Sequence, residues 1–220
     1  MGQPGTPEDV ALLIAFLADR KSSGFILGQS IVIDGGSSLI CAMASHDMSK
    51  DISCYDKVLQ INLRSVVTLT QKAKQHLIDA KGEVVNVSSI AAGPQAAHTY
   101  MYYGMSKAAL DQFTRSAAID LIPHGVRVNS VSPGMVYTGI GEAIGMGNEA
   151  FAKMARFMES HKECIPSGKA ADPVDIAYII AFLADRKMSS YIIGQSIVAD
   201  GGSSLIMGMQ AHDMMDVLKA

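Results

Sequence analysis

The chain has no run of the ~18 to 20 consecutive apolar residues that a membrane-spanning helix requires. Its longest apolar stretches, ALLIAFLA (11–18) and AYIIAFLA (177–184), stop at Asp-Arg-Lys and read as buried helices. Cysteine is scarce: Cys41, Cys54 and Cys164 are odd in number and fall in no metal-ligand spacing, which fits a reducing compartment and places the protein in the cytosol. An excess of one charge is also lacking. A net charge of −3 and a pI near 6.0, with Lys and Arg scattered, leave no basic stripe for nucleic acid or an anionic membrane. MGQPGTPEDV has no charged segment leading into an apolar core, so it is not read as a secretory signal, and the C-terminal VLKA is no targeting address. What remains is a chain of 220 residues, 49% hydrophobic, enough for one globular domain that works on a small molecule.

The chain repeats itself. Residues 2–48 and 168–214 align without a gap, and about 30 of the 47 positions are identical. Solenoid repeats recur every ~20 to 50 residues, so two copies this far apart are not an array. They read as the tail of a fold, once in its own place and once at the front. The expected organisation is a duplicated segment and linker over 1–50, followed by the remainder of a domain over 51–220.

Each copy opens on a helix start: Thr6-Pro7-Glu8-Asp9 and Asp172-Pro173-Val174-Asp175 put a capping residue before a proline, with a carboxylate in the first turn. A helix of about 12 residues and a short β-branched run, SIVID (30–34) or SIVAD (196–200), follow. Between the copies, the apolar stripe over 51–80 predicts a helix ending near Gly82. EVVNV (83–87) reads as a strand covered on both faces, 100–121 as a second long helix, and VRVNSVS (126–132) as another strand. Alternating helices and strands predict an α/β fold with a doubly wound parallel sheet.

In such a sheet ligands sit beyond the carboxyl ends of the strands, which directs attention to Ser88, Ser89 and the Pro133-Gly134 turn. On the helix after the first strand, Tyr103 and Lys107 are four apart and share a face; Tyr102 and Ser88 are the neighbouring alternatives. The pieces INLRS (61–65), VVNVSSIAAG (84–93), YGMSKAALDQFTR (103–115), HGVRVNSVSPGMVYTG (124–139) and GQSIVADGG (194–202) together resemble the short-chain dehydrogenase/reductase family. HKECIPSGKAADP and the tail add a resemblance to its tropinone-reductase-like and glucose-dehydrogenase-like members.

The resemblance implies a partial Rossmann-like sheet made of the family's later strands, and NAD(P)-dependent interconversion of a carbonyl and a secondary alcohol. Tyr103 would be the general acid/base, with its pKa brought from about 10 toward 7 mainly by Lys107. Lys107 would also bind the nicotinamide ribose, Ser89 would hold the substrate oxygen, and Asn62 would anchor a water relay. Pro133, Gly134, Val136 and Thr138 would line the nicotinamide pocket. No metal is expected: His46-Asp47 and His212-Asp213 lack a third ligand. Gly139, Gly141, Gly145 and Gly147 read as a mobile loop beside the substrate, and the segment around 137–165 as pocket loops.

The family's T-G-x-x-x-G-x-G turn, which holds the cofactor pyrophosphate, has no counterpart in these 220 residues. The expectation is therefore an oxidoreductase whose NAD or NADP binding is impaired. The alternatives are a non-catalytic partner that pairs with an intact paralogue, or a gene-fusion or gene-model product. Assembly, as a homo-oligomer or hetero-oligomer, would run through helices 52–80 and 100–121, which commonly form the dimer interface in this family.

Overall fold

The computed structural model describes residues 52–96, 100–139 and 147–206; the leading copy of the repeat and both His-Asp pairs lie outside them. Three parallel strands form a sheet in the order β1 (Glu83–Val87), β2 (Arg127–Pro133), β3 (Ser196–Ala199). The register runs from Glu83↔Arg127 to Val87↔Val131 and from Ser130↔Ser196 to Pro133↔Ala199. Val84, Val85, Val128 and Val131 are each at most 1% exposed, which explains why these strands are continuous apolar runs rather than alternating ones.

The first helical stretch is continuous: α1 (Ile52–Leu59) passes through one π-helical turn, Gln60–Arg64, into α2 (Ser65–Ala80). It closes at Lys81, whose backbone is left-handed at φ 47°, while Gly82 donates to Leu77 O at 2.8 Å. Glycine is needed one residue later than the left-handed position, because a Cβ on Gly82 would stand 3.1 Å from Leu77 Cδ2. Helix α3 (Met101–Leu121) buries Tyr102, Ser106, Leu110, Thr114, Ala117, Ala118 and Leu121, a stripe in steps of three and four. The lower part of that stripe packs with Leu77, Val84, Val126 and Val128 into one core cluster.

The segment expected as pocket loops contains a helix, α4 (Asn148–Ser160), which corrects the sequence reading. Phe151 and Ala155 bury one edge of it at 6% and 0% exposure, on an amphipathic stretch that also carries Met154 and Met158. Helix α5 (Pro173–Ala184) starts where the capping signal places it, with Asp172 N–H donating to Asp175 Oδ2 at 2.9 Å. A single turn, α6 (Arg186–Ser189), leads to β3. Among the described residues no helix is long and apolar enough to cross a membrane.

One charged residue ties this last unit to the sheet. Arg127, 1% exposed, pairs through Nε with Glu83 at 2.9 Å and donates to Ser189 O at 2.6 Å, Ile192 O at 3.0 Å and Leu183 O at 2.9 Å. Arg186 reaches the same Glu83 from outside and donates to Lys81 O and Gly125 O, both at 2.8 Å.

Candidate active site

Strand β1 ends at Val87, and the next two residues diverge. Ser88, 3% exposed, turns inward, its hydroxyl reaching Lys107 O at 3.4 Å. Ser89 caps the short turn Ile90–Ala92, accepting from Ala91 N at 3.1 Å, and hydrogen-bonds the Tyr103 side chain. The choice between the two tyrosines is equally clear. Tyr102 packs against Val58 and edge-on against Tyr55, with ring centroids 5.5 Å apart, whereas Tyr103 faces Ser89.

Lys107 sits one helical turn on, its Nζ 5.6 Å from the Tyr103 ring centroid and 2.9 Å from Val87 O. The structure thus brings Ser89, Tyr103 and Lys107 together. Asn62 lies on the π turn and does not reach Lys107 directly: its Nδ2 donates to Ser106 Oγ at 3.0 Å, and Ser106 donates to Tyr103 O at 2.7 Å. Ser106 went unnoticed in the sequence, although it stands three residues after Tyr103 on the buried stripe of α3.

Pro133 closes β2, and Gly134, Val136 and Thr138 follow it. Continuing the pairing Val87↔Val131 by two residues brings Pro133 level with Ser89. Gly134 donates to Ala199 O at 3.0 Å and passes so close to the next loop that a Cβ would lie 2.7 Å from Asp200 Cβ. Val136 bridges to Ala171. Gly141, Gly145 and Gly147 are spaced as G-x-x-x-G-x-G just before α4 at Asn148, with Ile140 where the family's turn has Thr. Residues 140–146 of that run lie outside the described ones.

Burial decides the electrostatics. It pushes the Tyr103 phenol above its ordinary value of 10.0; the Ser89 hydrogen bond works against this, and the neighbouring Tyr100 adds to it. The expected descent toward 7 driven by Lys107 is not found, because the lysine ammonium is itself desolvated and directed at Val87 O. Lys107 falls from 10.5 to about 8, burial being the main cause and Asp111 the opposing one. Between about pH 8 and 10.5 the unfolded chain holds a proton that the folded chain has shed, so stability rises with pH across that window. Below pH 8 the full cost is present, up to ~3 kcal/mol. Replacement of Lys107 by Met should therefore raise stability at pH 7 and flatten its rise between pH 8 and 10.5, measured by urea denaturation at each pH.

Comparison with known proteins adds the following. A family model described as Enoyl-(Acyl carrier protein) reductase matches residues 42–204. The chain is 35% identical over 150 residues to the (3R)-3-hydroxyacyl-CoA dehydrogenase of Homo sapiens, covering 67% of this chain and 53% of that protein. It is 33% identical to Oxidoreductase UcpA of Escherichia coli, covering 76% and 62%. A short-chain dehydrogenase/reductase of Caenorhabditis elegans crystallised with cofactor superposes with a TM-score of 0.79 at 50% identity, over 94% of this chain and 75% of that one. An apo-form glucose dehydrogenase of the same organism gives 0.62 at 53% identity, over 72% and 61%. The chain thus spans between about half and five-eighths of the curated relatives it matches.

Proposed function

The chain belongs to the short-chain dehydrogenase/reductase family, and on that premise we propose that its site interconverts a carbonyl and a secondary alcohol with NAD(H) or NADP(H). The observation that carries this reading is the convergence of Ser89 and Lys107 on Tyr103. Tyr103 Oη gives its proton to the carbonyl oxygen, or takes one from the alcohol, with Ser89 holding that oxygen by hydrogen bond. Lys107, poised with a pKa near 8, exchanges the proton with its surroundings, and Asn62 and Ser106 hold the backbone of Tyr103 in place. The nicotinamide supplies or accepts the hydride, so each alcohol oxidised releases one proton and reduces one NAD(P)+.

The nicotinamide end fits the residues present: a buried lysine and the Gly134 turn, where no side chain has room. The diphosphate end does not. Strand β1 leads into the short turn Ile90–Ala92, and β2 is separated from the start of α4 by residues 134–147, so neither is followed by the tight strand-to-helix turn that holds a pyrophosphate. We therefore propose that this chain alone binds neither NADH nor NADPH in the micromolar range and turns over only with millimolar cofactor. Titration of nicotinamide fluorescence tests this, and quenching or a blue shift at micromolar concentration overturns it. Leu69, Met105 and Ile119, 45%, 47% and 72% exposed on α2 and α3, favour a second reading in which these helices pair with a complete relative. Co-expression with such a relative tests that reading, and failure to co-purify removes it.

A further inference from the structure

The unit formed by α5, α6 and β3 occupies a slot against β2, and its sequence is present twice. We propose that the leading copy, residues 6–38, is a second occupant of that slot on its own chain and exchanges with residues 172–204.

The slot recognises its occupant through features that recur at the front of the chain. Gly194, left-handed at φ 68°, donates to Val128 O at 2.9 Å and lies 3.3 Å from Ala118 Cβ through the Cβ it lacks; the leading copy has Gly28. Buried Leu183 and Ser189, whose carbonyls receive Arg127, recur as Leu17 and Ser23. Arg186, which closes the Glu83 pair, recurs as Arg20. Main-chain contacts, Ser130 N–H to Gln195 O at 2.8 Å and Gly134 N–H to Ala199 O at 3.0 Å, are ones a strand of the same shape makes whatever its side chains, and the Ser132–Ser196 hydroxyl contact at 2.6 Å can be kept by Ser30.

Most differences between the copies fall on the exposed face, and those that meet the slot, Ile193 to Leu27 and Ala199 to Ile33, keep an apolar side chain. Val174, Tyr178 and Met188 are 48%, 70% and 67% exposed, and the leading copy replaces them with Glu8, Leu12 and Ser22. Buried Ile176 becomes Val10, a loss of one methylene. Reach is sufficient as well. The residues 39–51 that join the leading copy to α1 span about 40 Å when extended, against a radius of gyration of about 15 Å for a domain of this size. Two near-equivalent segments compete for one site, and neither is indispensable.

Redundancy is directly testable in the full chain. Proline at position 194 removes the donor to Val128 and forbids a positive φ, so Gly194→Pro bars the trailing copy from the slot; Gly28→Pro bars the leading one. If the copies are exchangeable, each single variant loses about half of the bound configurations and shifts the unfolding midpoint by less than ~2 °C, while the double variant loses the cooperative transition. Gly194→Pro as damaging as the double, or a double as harmless as the singles, overturns the proposal. Position is tested separately with Ser130→Cys and Ser30→Cys after Cys41, Cys54 and Cys164 are changed to Ser. An intramolecular 30–130 disulfide, mapped by mass spectrometry, is expected; only intermolecular 30–130 linkage, or none, overturns it.

Discussion

Arg127→Met is expected to abolish the cooperative unfolding transition, or to lower stability by about 3–5 kcal/mol where enough remains to measure. That loss is comparable to the whole stability of many domains, about 5–15 kcal/mol. Arg127 is 1% exposed and satisfies four partners at once: Glu83 and the carbonyls of Leu183, Ser189 and Ile192. The substitution leaves Glu83 buried with Arg186 alone and strands three carbonyls at the start of the chain's return to the sheet. Arg127→Lys should fare little better, since one ammonium cannot reproduce a planar fork of donors. A second change, Glu83→Leu, removes the unpaired charge but not the stranded carbonyls, so Glu83→Leu/Arg127→Met should recover only part of the loss. Urea titration of the four-member cycle measures this; recovery to the level of the parent chain would show that the carbonyl bonds contribute nothing.

That arrangement was invisible in the sequence. Nothing local to VRVNSVS marks Arg127 as buried, and its partners lie 44 residues before it and 56 to 65 after it. What could be read was what local chemistry determines. EVVNV announced itself because both faces are covered, and α5 because Asp172 and Pro173 mark its start. Tyr103 and Lys107 were legible from their four-residue spacing on a helix following a strand. The π turn at Gln60–Arg64 was not, because one extra residue in a helix leaves the apolar period nearly unchanged over so short a span. Helix α4 was legible in the Phe151, Met154, Ala155, Met158 stripe but was passed over, because the glycines before it point to a loop. The direction of the Tyr103 shift required knowing how thoroughly the phenol is desolvated and where the lysine ammonium is directed, both properties of packing.

Tyr103→Phe should lower the rate of carbonyl reduction, measured at millimolar NADH or NADPH, by ~10²- to 10⁴-fold, which corresponds to about 3–5 kcal/mol of barrier. The phenylalanine keeps the ring against Lys107 and removes only the hydroxyl that meets Ser89, so stability should change little. The neighbouring Tyr102→Phe is the discriminating control. Its ring sits on Val58 and Tyr55, away from Ser89, and the rate should stay within a few-fold of the parent chain. Because burial raises the Tyr103 pKa, the phenol stays protonated at neutral pH, the form that carbonyl reduction requires, and alcohol oxidation, which requires the phenolate, should need alkaline pH. A rate lost on changing Tyr102 but kept on changing Tyr103 would move the acid to the wrong side of α3 and dismantle the assignment of Ser89 and Lys107 with it.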